Sequence, residues 1–236
     1  MKIKKIALVV YEIVFFFPIL ASAYDLKEYY PLNQGNTWKY LVTEDQKSHE
    51  DVVKIEGWKT VGNLEAQKIV HSNEDYGCLT FDSEGLKQHR YFDKYGYEVF
   101  VPPEIVLPDG IRAGETKEYL MDKIVYNPTG EKIDEKKESR KISLESIEDV
   151  KVLAGEFKNC LKFSIISEGK DISGNYYNED DCTVWLAQNV GEVKSFCIEK
   201  EYNPETRRKD TFIEVRELIS AIINGKNIGS QELPTK

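Results

Sequence analysis

Histidine is scarce: the 236 residues hold only His49, His71 and His89. No two of them stand at metal-ligand spacing, and a zinc enzyme needs two or three such ligands plus an open position. All three read as surface or half-buried strand residues. The P-loop, the dinucleotide fingerprint and the G-x-S-x-G elbow are also absent, and no serine has a suggestive neighbourhood. The acidic runs Glu74-Asp75 and Glu179-Asp180-Asp181 lack the D-x-D/N-x-D/N-G spacing that folds a loop around calcium, so they read as solvated strand entries. No basic cluster occurs, and the formal net charge is −9. Such a chain repels phosphate backbones, which argues against nucleic acid and anionic membrane surfaces as partners. No internal repeat is long enough for a solenoid or propeller. These absences leave no catalytic residue, metal ligand or cofactor site to assign, and the chain is not expected to be an enzyme.

What is present begins with a leader. Met1 to Lys5 is basic, Ile6 to Leu20 is mostly apolar, and Ala21-Ser22-Ala23 supplies small residues for cleavage before Tyr24. This is the layout of a secretory signal peptide, and its apolar stretch, interrupted by Glu12, falls short of the ~20 residues that span a bilayer. Residues 1–23 are therefore expected to be removed, leaving no transmembrane segment and a periplasmic or secreted protein. The leader carries three lysines and one glutamate, so the chain from Tyr24 carries −11. Its 213 residues fit one domain over 24–224, with a flexible tail at 225–236. A monomer is expected.

An oxidising compartment favours disulfides over metal thiolates for the four cysteines, which allow three connectivities. A four-residue loop at Gln188–Gly191 pairs Ala187 with Glu192 and places Cys182 opposite Cys197. A three-residue loop with Gly191 left-handed shifts the register by one and puts them on opposite faces. The preferred pairing is Cys182–Cys197, leaving Cys78 with Cys160. The alternative is four free, buried thiols acting as small hydrophobes.

Elsewhere, period-two alternation dominates. Trp38, Tyr40 and Val42 alternate with polar neighbours, as do Val53 and Ile55 within Asp51–Trp58, and Phe212 to Leu218. Ile219 to Ile223 extends the last of these or forms one helical turn. Gly, Asn and Asp clusters punctuate these runs, and little of the chain has helical spacing. The expected fold is all-β: a single curved antiparallel sheet, as a meander, half-barrel or open barrel. Val101 to Gly110, with three prolines, reads as an irregular crossing segment rather than a central strand. Glu131 to Lys141 reads as a solvated hairpin tip. The plentiful aromatics are read first as core and strand residues, with a sugar platform or lipid-lined face as the sharper alternative.

Pro31-Leu32-Asn33-Gln34-Gly35-Asn36-Thr37-Trp38-Lys39-Tyr40 resembles the P-L-x-x-G-N-x-W-x-Y opening of a group of uncharacterised exported bacterial proteins. Ala154-Gly155-Glu156-Phe157-Lys158-Asn159-Cys160 and the run Trp185 to Lys194 resemble that group's A-G-x-F-x-x-C and W-x-A-x-x-V-G-x-V-K patterns. The resemblance implies a cell-envelope protein with a strongly curved sheet, reminiscent of periplasmic lipoprotein carriers, and no assigned activity. Those carriers lid the sheet with helices, and this sequence offers little helix. The shared residues, Phe157 among them, look structural: Gly35, Gly155 and Gly191 for turns, Trp38 and Trp185 for packing, and Val193 for the core. Two readings follow, in order of preference. One is an exported binding module for an apolar small molecule, lipid or lipidated partner. The other is a structural or protein-interaction component of the envelope with a filled core. A hydrolase with an unrecognised site comes last.

Overall fold

A computed structural model describes residues 24–171, 177–203 and 208–229. The expected leader (1–23), the end of the expected tail (230–236) and residues 172–176 and 204–207 lie outside the described residues. After the short α1 (Leu26–Tyr29) come β1 (Thr37–Glu44), β2 (Lys47–Val61), β3 (Leu64–Val70), β4 (Tyr76–Phe81), β5 (Gly85–Asp93) and β6 (Gly96–Pro108). Then follow β7 (Thr116–Tyr126), β8 (Lys132–Val152), β9 (Gly155–Asp171), β10 (Tyr177–Ala187), β11 (Gly191–Asn203), β12 (Arg208–Ile223) and β13 (Lys226–Gly229). Each strand pairs antiparallel with the next, and β1 also pairs with β12 from Thr37↔Ile222 to Glu44↔Glu214. That pairing closes the meander into a barrel of twelve strands, with β13 attached outside the closure. Closure pairs the outer edges of β1 and β12, which an open sheet would leave free.

Alternation decides what faces inward. Trp38, Tyr40 and Val42 on β1 are buried, and their partners Val53 and Asp51 on β2 continue the same face. Opposite them, Ile142 and Leu144 on β8 and Leu161, Phe163 and Ile165 on β9 complete one hydrophobic core. Each such side chain contributes about 1.5–3 kcal/mol when fully buried. Leu26 and Tyr29 of α1 belong to the same core. The Leu26 N–H donates to Asp109 Oδ1 (3.3 Å) and the Asn189 N–H to the Glu28 carbonyl (2.5 Å). The helix is thereby laid across one end of the barrel as a plug.

Three expectations need correction. Val101–Pro108 is strand, not a crossing segment. Its prolines are tolerated because β6 pairs with β7 only through Tyr97–Val101, so Pro102–Pro108 has a single neighbour, β5, and the ladder is interrupted between Gln88↔Glu104 and Arg90↔Val99. Residues 132–141 of the charged run lie within β8, paired with β7 and, from Lys136 onward, also with β9, so the hairpin tip is confined to 127–131. Alternating charges suit a strand with one solvated face. The tail also begins later than residue 225, since Lys226–Gly229 pairs with Ser220–Ile223.

The cysteines divide. Cys182 and Cys197 face each other on β10 and β11 and form a disulfide. The loop between those strands has three residues, pairing Ala187 with Gly191, which alone would put the two cysteines on opposite faces. A one-residue bulge at Val193 on β11, between the pairs Trp185↔Lys194 and Leu186↔Glu192, restores the register. The Cys78–Cys160 bridge does not form: both are free, buried thiols, Cys78 on β4 and Cys160 on β9, strands that are not neighbours in the sheet.

Candidate functional site

Inside the barrel, the hydrophobic core lies at the α1 end, and β8 carries the ion pairs Lys123–Glu138 and Arg140–Glu104. A concavity among the described residues lies where the plug meets the ends of β2 to β5. It measures about 710 Å³, within the usual range of small-molecule sites. Tyr30 and Leu32 form one wall, Leu79 and Phe81 another, and Trp58 and Leu64 the rim. Trp58 is 67% exposed, the only tryptophan of the three on an open surface.

A bulge sets the Trp58 position. Straight alternation along β2 would group Trp58 with Lys54 and Glu56 on the outer face. The ladder instead runs Ile55↔Ile69, Gly57↔Lys68, Trp58↔Gln67, so one extra residue sits at Glu56. Glu56 and Lys68 remain together outside, as an ion pair at 2.8 Å. Trp58 swings onto the inward face with Gln67, which is the side of Ile69 and pairs onward with Leu79. Gly57 takes φ 123°, a conformation that disfavours side chains, and the Gln34 side chain fills the space a Cβ would need. Re-aiming a side chain is a recurrent use of bulges.

Polar groups in the cleft are few. Gln67 is 8% exposed, and its Oε1 is buried with no hydrogen-bond partner among the described residues. His89 Nε2 lies 2.8 Å from Thr80 Oγ1, and burial, then the nearby Lys87 charge, hold its pKa below 6.5. Glu28, Glu65 and Asp82 line the cleft with a single cation, Lys27, among the described residues. Gln188 donates to Glu28 (2.7 Å) and Asn33 to Asn224 (2.7 Å), tying the plug to neighbouring turns.

A serine, a histidine and an aspartate also meet, at Ser72, His71 and Asp51. His71 Nδ1 is 3.1 Å from Asp51 Oδ2, and Ser72 Oγ donates to Asp51 Oδ1 at 2.7 Å. Arg216 donates to Asp51 Oδ2 at 2.7 Å. Burial would raise the Asp51 pKa, but the His71 and Ser72 hydrogen bonds and the Arg216 charge together hold it well below the carboxylate range. A nucleophile must hydrogen-bond to its base, whereas the Ser72 hydroxyl is bonded to the carboxylate. The cluster is a cross-brace between β2, the turn after β3, and β12.

The motif residues fall at the closure rather than in the cleft. Trp38 is buried and donates from Nε1 to the Val190 carbonyl (2.6 Å), beside Gly191 (φ 104°). The Tyr40 hydroxyl donates to the Glu192 carbonyl (3.0 Å). The two motif segments therefore touch, 152 residues apart in sequence. Gly35 turns the chain into β1 and donates to the Ile55 carbonyl (2.9 Å), and Gly155 opens β9 with φ 135°. Phe157 packs against the core. Trp185 lies on the outer wall, its Nε1 donating to Glu148 (2.8 Å). The outer wall also carries the stacked rings Tyr76, Phe92, Tyr97 and Tyr126, with successive centroids 4.4, 5.4 and 4.8 Å apart. Their register makes them directly opposed cross-strand pairs, which accounts for the stack without a ligand. On the same wall, Val101 and Leu120 border a groove of about 470 Å³.

Trp58 and Gln67 were not among the residues singled out from sequence. The available signal was Gly57, a glycine inside an alternating run, which marks a bulge.

Among the described residues, no helix is long and apolar enough to cross a membrane, and no cluster of three metal-ligating side chains occurs. No protein-family model and no curated protein sequence matches the chain. Three solved structures are loosely similar. One is described as a lipoprotein from Parabacteroides distasonis: TM-score 0.42, 12% identity, 80% of this chain and 97% of that one. A second is the hypothetical lipoprotein YmcC from Escherichia coli: 0.40, 9%, 78% and 86%. The third is described as an exported protein with a YmcC-like fold from Bacteroides fragilis: 0.39, 14%, 80% and 98%. Likeness this loose supports no transfer of function.

Proposed function

We propose that this chain is an exported, non-catalytic binding module of the cell envelope whose ligand is a small molecule with an apolar body, held in the cleft between α1 and the ends of β2–β5. The observation that carries the reading is Trp58: a bulge turns a large aromatic ring towards a concavity, where it stays 67% exposed. Leaving that ring in water forgoes roughly 1.5–3 kcal/mol of burial. A ligand that covers it recovers that energy. The export assignment rests on residues 1–23 alone.

Native mass spectrometry of protein purified from the exported fraction without detergent tests the reading. The expected result is an adduct that is lost on denaturation and absent from the Trp58→Ser variant. A clean native mass, together with no response of Trp58 to added apolar compounds, would overturn it. A second reading, docking of a protein partner on the outer wall, is favoured by Leu120, 71% exposed, beside Val101. Capture of a partner lost in Leu120→Ser but kept in Trp58→Ser would select it.

A further inference from the structure

We infer that the outer wall over β2–β6 is a docking face for an extended acidic segment of a partner protein, separate from the cleft. No basic cluster stands in the sequence, but the fold builds one from three strands. Lys54 on β2 pairs with Val70, which pairs with Tyr76, and Lys68 on β3 pairs with Cys78, which pairs with Arg90 on β5. Lys59 Nζ lies 4.4 Å from the centre of the Tyr76 ring and 4.8 Å from that of Phe92. Lys68 Nζ lies 4.5 Å from Tyr76, and the Arg90 guanidinium 5.6 Å from Tyr97. Lys54 is exposed, and Lys59, Lys68 and Arg90 are partly exposed. Among the described residues, only Lys68 of the four forms an ion pair, with Glu56 at 2.8 Å. The face is therefore positive, on a chain whose net charge is −9.

The rings hold these cations in place without neutralising them. Less side-chain freedom is then left to lose when a partner docks, which lowers the cost of binding. The rings also select the class of partner. Tyr76, Phe92, Tyr97 and Tyr126 lie nearly parallel, with interplanar angles of 11°, 29° and 10°. Both faces of Phe92 and of Tyr97 are thus covered by neighbouring rings, and Tyr76 carries the two lysines. A sugar ring has no open aromatic face there on which to stack. Ring edges carry positive potential, which adds to that of the cations and suits carboxylates. The outside of a sheet is not the concavity that a small molecule needs, so the occupant is a chain carrying several carboxylates.

Fluorescence anisotropy of a labelled peptide of alternating glutamate and serine, at low ionic strength, tests the inference. The full chain should bind it, and binding should weaken as salt is added. Lys59→Gln combined with Arg90→Gln should weaken binding about tenfold. Lys137→Gln combined with Lys141→Gln makes the same change of charge on β8 and should leave binding as it was. Lys54→Gln, at an exposed lysine of the docking face, should weaken binding about threefold and serves if the first double variant does not fold. No binding of the peptide, or equal losses in the two double variants, would overturn the proposal. So would oligogalacturonate binding more tightly than the peptide, which would assign the face to an anionic glycan.

Discussion

Asp51 shows how one residue braces a barrel. It accepts from His71, Ser72 and Arg216, and so joins β2 to the turn after β3 and to β12. Removing one partner of a buried, hydrogen-bonded ion pair costs more than the pair contributes, because the other charge is left unmatched. Asp51→Ala should therefore lower stability by about 3 kcal/mol, measured by urea unfolding, while Lys158→Ala on an exposed pair should leave the unfolding midpoint unchanged. Equal effects would show that the brace is decorative. The residue's identity is plain from sequence, but its partners are not: Arg216 lies 165 residues away.

At the scale of the element, bulges decide the outcome. The bulge on β2 selects the face Trp58 joins, and the bulge at Val193 on β11 brings Cys182 onto Cys197 despite a three-residue loop. The anticipated pairing was correct, but it is reached by a loop and a bulge that offset each other. Cys182 and Cys197 enclose a short loop, with a sequence separation of 15. Replacing both by serine should cost about 3 kcal/mol in the chain-entropy model. Thiol titration should find two free thiols, unreactive until the protein unfolds, since burial, then the nearby Asp149 charge, pushes Cys160 up to about 11 and burial raises Cys78 as well. Four titratable thiols in protein from the exported fraction, or none after unfolding, would contradict this division.

For the whole molecule, closure brings carboxylates together. Asp180 stands opposite Glu199, and Glu44 opposite Glu214, on the inward face around the disulfide. Burial first, then mutual repulsion, raises the pKa values of Asp180, Glu199 and Glu214, with Lys123 and Arg140 opposing at Asp180 and Arg216 at Glu214. A carboxyl with a raised folded-state pKa binds more protons in the folded than in the unfolded state. Its contribution is fully present below its ordinary 3.8 or 4.5 and is lost as pH rises through the folded value. His89 works the other way below 6.5, and Asp51, with its pKa lowered, loses its contribution only as pH falls below 3.8. Three carboxyls against one imidazole predict a higher Tm at pH 5 than at pH 8. Glu214→Gln should raise the Tm at pH 8 and flatten that slope. An unchanged slope would mean that water reaches these groups freely.

Alternation by itself determined that this chain is an antiparallel β-meander, because period-two patterning is local and each strand pairs with its successor. Composition likewise bounded the charge without reference to the fold. Tertiary structure alone decided closure, since nothing in Thr37–Glu44 or Arg208–Ile223 announces that they pair across nearly the whole chain. It also decided that the prolines of Val101–Pro108 sit in a strand, because a strand with one neighbour does not need the missing N–H groups. The cleft belongs to the same class. One extra residue at Glu56 inverts the faces of everything after it on β2, and only the register against β3 reveals the inversion.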